Sequence, residues 1–263
     1  MTQSPATPAS AVTAVDLVRD RIERLSPKVR VLVLQHPQEQ DTLLGTAPLL
    51  AASLDKSVLR VGLSWSSLAH AMGETDNRFA EPEPNRWAVL YRGSIGRTLT
   101  AREKTEPFLL LDRKGKRCRP DELPIEGFVI LDGTWSQAKT MWWRNPWLLK
   151  LHRVLLHPTQ PSAYGRLRKQ PSPQHISTLE AAALTLDGLG EDPVIGEQLR
   201  RVFRTLCQRG RDANISLATD PEAADTLETV QALGAGKTAA EHRLRPRATP
   251  AKARKKKRDD VAF

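Results

Sequence analysis

The chain has 263 residues, 40% of them hydrophobic, and a formal net charge of +10, which is enough apolar content to bury a core in one large domain or two small ones. No stretch approaches the roughly 20 continuous apolar residues of a membrane-spanning helix, and the opening MTQSPATPASAV has neither a basic leader nor an apolar signal core, so a cytoplasmic globular protein is expected. The two cysteines, Cys118 and Cys207, lie far apart and outside any CxxC or His/Cys cluster, which indicates neither a disulfide framework nor a zinc site; no metal is expected.

In chain order, residues 1–12 read as a flexible N-terminus. TAVDLVRDRIERL (13–25) then spaces Val15, Val18, Ile22 and Leu25 at helical intervals. VRVLVLQ (29–35) is a nearly unbroken apolar run, the pattern of a strand covered on both faces, and it stops at His36-Pro37. Asp41 and Thr42 can cap a helix through LLGTAPLLAASL. VLRVGL (58–63), WAVLY (87–91), PFLLL (107–111), GFVIL (127–131) and HRVLL (152–156) read as further short strands, with helices over 134–145, 177–189 and 194–208.

Strands alternating with helices predict one α/β domain over residues 13–212, a mostly parallel sheet with flanking helices. Ligands of such sheets bind at the carboxyl ends of the strands, here near residues 36, 64, 132 and 157. The segments 74–86 and 157–175 are polar, Pro-rich loops, and the second is basic and long enough to suggest a function. Residues 213–263 read as a linker and a disordered tail. Its part from 242 to 263 carries nine Lys and Arg against two Asp, or +7, and includes Lys255, Lys256 and Lys257. Such a run suits a polyanion, and otherwise serves solubility.

Four local patterns bear on chemistry. In ILDGTWSQA (130–138), Thr134 and Gln137 fit a capping box, while Asp132 ends the strand just before it. That carboxylate can act as a base or orient a ligand, or it is simply an acid well placed near a helix start. Four of the six tryptophans follow: Trp135, Trp142, Trp143 and Trp147. Their spacings of seven and four fit core packing on helix faces; stacking on a nucleobase would use the same rings, and Trp135 lies nearest the strand end. In HISTLEAAAL (175–184), Ser177 and Glu180 form a second capping box, whose free amides can also receive an anionic group. Tyr164, Arg166, Arg168 and Lys169 make a small basic patch that could grip phosphate or stack a base, or is solvated surface. There is no GxGxxG, GxxxxGK[ST], HExxH or GxSxG, which argues against P-loop hydrolysis, zinc proteolysis, serine esterase chemistry and a glycine-fingerprint dinucleotide fold.

With LQHPQE (34–39), LDGTWSQAKTM (131–141) and ISTLEA (176–181) in this order, the chain resembles the DTW-domain family over about residues 28–210. The Asp-x-Thr-Trp signature is matched by Asp132, Thr134 and Trp135, and a Ser/Thr-x-Leu-x-Glu-Ala signature by Ser177, Leu179, Glu180 and Ala181. The resemblance implies a knotted fold of the SPOUT type and a tRNA-uridine aminocarboxypropyltransferase, which moves the 3-amino-3-carboxypropyl group of S-adenosyl-L-methionine to uridine N3 and releases methylthioadenosine. On that basis Asp132 is expected to be the base or the group that orients the uracil. Thr134, Trp135, Ser177, Leu179 and Glu180 are expected around the co-substrate, and His36, Tyr164, Arg166, Arg168, Lys169 and Lys255–Lys257 on the tRNA. Many relatives carry a cysteine cluster before the His-Pro motif; this chain has none. A SPOUT-like RNA methyltransferase and a noncatalytic RNA-binding protein are the alternatives.

Overall fold

A computed structural model of the chain describes residues 13–40, 42, 44–73, 81–91, 98–168 and 175–213. In order these form α1 (Ala14–Val18), β1 (Arg30–Gln35), α2 (Ala47–Ser53), β2 (Ser57–Val61), α3 (Leu68–Met72), β3 (Trp87–Leu90) and α4 (Ala101–Thr105). They continue with β4 (Phe108–Leu111), β5 (Arg117–Cys118), β6 (Gly127–Asp132), α5 (Trp135–Arg144), β7 (His152–Leu156), α6 (Thr178–Leu189) and α7 (Pro193–Asp212).

The strands make one sheet of seven in the order β2-β1-β6-β3-β7-β4-β5. The first five in that order pair parallel, as their continuous apolar runs predict. β4 runs antiparallel to both β7 and β5, closing the sheet with a hairpin edge. Alternation along each strand sends side chains to two cores. Val31, Val33, Phe128 and Ile130 face α1, α2, α6 and α7, while Leu32, Leu34 and Val129 face α3 and the Trp147–Leu148 turn after α5. The result is three layers, helix on sheet on helix. In α7 the buried Ile195, Leu199, Val202, Phe203 and Leu206 form one stripe, each worth about 1.5–3 kcal/mol on burial.

Several boundaries differ from the sequence expectation. The first helix ends at Val18, with a 3-10 turn to Arg21, rather than reaching residue 25. Arg209 donates to the Leu17 carbonyl at 2.7 Å and clasps Asp20, and Leu25 bridges Leu54 in extended conformation. The next helix starts at Ala47, because turns at Glu39–Thr42 and Thr42–Gly45 take up the preceding residues; Asp41 lies outside the described residues. α3, α4 and β5 are short elements with no sequence periodicity to announce them. Among the described residues no helix is long and apolar enough to cross a membrane.

This topology positions the site. β1 and β6 run side by side in register, Gln35 opposite Asp132, and the His36 amide donates to the Asp132 carbonyl at 2.9 Å, so their carboxyl ends are stapled together. The two strands that follow β1 in sequence diverge there: β2 lies to one side and β3 to the other, beyond the inserted β6.

Candidate active site at the ends of β1 and β6

Asp132 ends β6 on the face covered by α6, since Phe128 and Ile130, four and two residues before it, pack into that core. One carboxylate oxygen accepts from the Gln35 side-chain amide at 2.9 Å, and the other accepts from the Thr178 hydroxyl, the first residue of α6. A half-buried carboxylate is thereby fixed from both sides. Gln35 itself is 1% exposed, and its Oε1 accepts no hydrogen bond. A buried amide oxygen without a partner is costly unless a ligand supplies the donor.

Both neighbouring helices start here with closed capping boxes. Thr134 Oγ1 accepts from the Gln137 backbone amide at 3.3 Å, and the Thr134 backbone amide donates to Gln137 Oε1 at 2.6 Å. The Gln137 side chain also donates to Gln38 at 3.1 Å, tying α5 to the turn after His36. At α6, Ser177 Oγ accepts from the Glu180 amide at 3.1 Å. The Glu180 carboxylate accepts from the Ser177 amide (2.8 Å), the Ser177 hydroxyl (2.9 Å), the Ser162 hydroxyl (2.6 Å) and the Ala163 amide (2.9 Å). Asp132 thus stands between two helix starts that present positive dipole ends. Among the described residues, the amides of Thr178 and Leu179 have no acceptor, the donor pair left open at a capped helix start.

The structure brings Asp132, Thr134, Ser177 and Glu180 together and gives some expected residues other duties. Glu180 divides its contacts between its own cap at Ser177 and the 162–164 loop, so it is a strut and not a hand free for the co-substrate. The Leu179 side chain is fully buried in the core, leaving its backbone amide as what it can offer. Tyr164 cannot stack a base: it is 2% exposed, meets Phe203 edge-on at 4.8 Å, and donates its hydroxyl to the Leu44 carbonyl at 2.7 Å. Burial pushes its phenol far above the ordinary tyrosine range. Arg168 lies over the edge of that core, 6.0 Å from the Tyr164 ring and 3.9 Å from Glu39, while Arg166 is exposed. His36 caps its own turn, Nδ1 accepting from the Gln38 amide at 3.3 Å. Lys169, Lys255, Lys256 and Lys257 lie outside the described residues.

Gln35 and Thr178 are the two site residues that the sequence reading missed. Gln35 had a signal: it is the polar residue that closes a fully buried strand directly after the apolar run Val31–Leu34. The tryptophans also divide differently from a uniform core. Trp147 is buried and Trp142 packs on Tyr91 at 4.8 Å, but Trp135 and Trp143 are 57% and 72% exposed. The spacing of four between Trp143 and Trp147 does not place them on one face, because α5 ends at Arg144 before Pro146. Among the described residues no group of three or more His, Cys, Asp or Glu is placed to hold a metal, and both cysteines are free thiols.

Comparison with known proteins converges on the same segment. A family model described as DTW domain matches residues 12–211. The chain is 32% identical over 180 residues to a Macaca fascicularis protein named tRNA-uridine aminocarboxypropyltransferase 2, covering 66% of this chain and 52% of that one. It is 29% identical over 191 residues to the Mus musculus protein of that name, covering 71% and 56%, and 30% identical over 190 residues to the Drosophila melanogaster one, covering 68% and 63%. It therefore spans between about half and two thirds of the length of these relatives. No solved structure matches the chain.

Proposed function

Since the chain belongs to the DTW domain family, we propose that it transfers the 3-amino-3-carboxypropyl group of S-adenosyl-L-methionine to N3 of a uridine in tRNA, releasing methylthioadenosine in the cytoplasm. The name shared by its relatives supports this reading. The observation that carries it is Asp132, held by Gln35 on β1 and Thr178 on α6 at the point where two capped helices begin.

The chemistry on offer there fits an amino-acid arm. A zwitterion needs donors for its carboxylate and acceptors for its ammonium group. The open amides of Thr178 and Leu179, with Trp135 at the first turn of α5, supply the former. Bound in that way, S-adenosylmethionine supplies an electrophilic γ-carbon whose sulfur departs as a neutral thioether, so no general acid is needed. Asp132 takes the N3 proton of uracil as the N3–C bond forms and passes it to solvent. Gln35 and Thr178 keep the carboxylate in one orientation for that step, and Thr134 and Ser177 fix the helix starts that define the distance between the reacting atoms. A knotted passage of the SPOUT type belongs to this reading, supported by the late strand β6 lying between β1 and β3.

Incubation of the purified protein with tRNA and S-adenosylmethionine, followed by mass spectrometry of the nucleosides and the small product, tests it. Methylthioadenosine and an aminocarboxypropyl uridine are expected. S-adenosylhomocysteine would mean methyl transfer instead, and bound but unmodified tRNA would mean a noncatalytic binder.

A further inference from the structure

α5 turns two large aromatic rings to solvent. At about 100° per residue, Trp135, Lys139 and Trp143 fall within about 80° of one another on the outer arc of the helix, opposite the buried Met141. The helix is held in that rotation from its far end by a buried residue. Asn145 donates to the Met141 and Leu63 carbonyls at 2.7 and 3.0 Å and accepts from the Trp65 amide at 2.8 Å. The exposure of Trp143 is therefore built into the fold. The arc also carries a cation, Lys139; α5 holds no acid, and among the described residues Lys139 is in no ion pair.

We infer that the outer face of α5, with Trp143, Lys139 and the Trp135 indole, is a stacking platform for unpaired nucleotides of an RNA. Four observations favour this occupant. The rings are flat faces at which every base can stack. A cation sits between them, where it can meet the connecting phosphate. Along the helix the two tryptophans are about 12 Å apart, well beyond the roughly 3.4 Å step of a stacked strand, so they suit splayed bases and not a duplex. Ser136 and Thr140 beside them break the apolar surface that a protein interface core needs. The platform starts one turn from Asp132, so a strand lying on it is led to the site. The inference rests on the proposed tRNA reaction for its substrate class, and it assigns that substrate a surface.

The test uses the full chain, a short fluorescein-labelled single-stranded RNA, the same RNA annealed to its complement, and tRNA. Trp143→Ala should melt at the wild-type temperature yet weaken single-strand and tRNA binding roughly five- to hundredfold, the range for loss of one base–aromatic stack. Trp143→Leu should lose as much, because it keeps apolar bulk and not the π face; Trp143→Phe should restore most of the affinity. Lys139→Ala should lower the salt slope by about one. If wild-type protein binds and modifies tRNA but Trp143→Ala and Trp143→Leu bind as tightly, the platform is overturned and the proposed reaction stands. If the wild type modifies no tRNA but the Trp143 variants still lose single-strand affinity, the reaction is overturned and the platform stands. A wild-type dimer made monomeric by Trp143→Ala with RNA affinity unchanged would identify the face as a contact between copies and end the inference.

Discussion

Replacing Glu180 by alanine should loosen the active-site helix start and the 162–164 loop together. The carboxylate accepts four hydrogen bonds, two from Ser177 in its own capping box and two from Ser162 and Ala163, about one loop away in sequence. Hydrogen bonds to a charged group contribute about 1.5–3 kcal/mol each when taken singly, and a capping interaction about 0.5–2 kcal/mol. Glu180 is half-exposed and its bonds share one group, so the losses do not add; about 3–4 kcal/mol is expected for Glu180→Ala. For a domain of this size that lowers the melting temperature by about 6–16 °C. Glu180→Gln should cost only about 1–2 kcal/mol, because its carbonyl can keep the three donors at Oε2 while its NH2 opposes the Ala163 amide alone. Calorimetric or circular-dichroism melts measure both, and transfer should fall in parallel because Thr178, two residues before Glu180, orients Asp132. A Glu180→Ala protein melting within about 2 °C of wild type would refute the claim that this carboxylate holds the loop to the helix.

Alkaline pH should destabilise the fold through two buried acids. Burial raises the Tyr164 phenol above its ordinary 10.0 and pushes the Cys207 thiol from 9.0 up to about 12. In the unfolded chain they ionise at their ordinary values, so stability is intact below about pH 9 and is lost as pH rises through the folded values. Urea midpoints at about pH 8 and pH 11 should fall less for Tyr164→Phe and Cys207→Ala than for wild type; equal falls would contradict the assignment. Gly188→Ala should destabilise by about 1–2 kcal/mol despite the better helix propensity of alanine, since a Cβ there would lie 2.2 Å from the Phe108 ring; an unchanged urea midpoint would show that Phe108 yields freely. Deleting residues 242–263, which removes nine basic side chains, should weaken tRNA binding and flatten its dependence on salt, and an unchanged slope in filter binding would make the tail a solubility element.

What the sequence disclosed depended on whether the signal was local. The β1 run Arg30–Gln35 and the capping boxes at Thr134 and Ser177 are contiguous patterns, and the structure holds all three. PFLLL reads like any buried parallel strand, because apolar content does not encode direction; only pairing with β5 and β7 makes β4 antiparallel. The Asp132–Thr178 and Asp132–Gln35 bonds join residues 46 and 97 positions apart, so no spacing rule could find them. Tyr164 misled for a different reason. Arginines beside a tyrosine look like a nucleic-acid patch, yet its ring fills a core formed with α7, which a local window cannot show. Trp143 misled in the opposite direction, because spacing was measured to a partner beyond the helix end.

The proposed reaction depends most directly on Asp132 taking the uridine proton. Single-turnover transfer to tRNA, read as aminocarboxypropyl uridine by mass spectrometry, should fall about 10²- to 10⁴-fold in Asp132→Asn. Calorimetry should find its affinity for S-adenosylmethionine nearly unchanged. Wild-type transfer by the asparagine variant would remove Asp132 from the role of base.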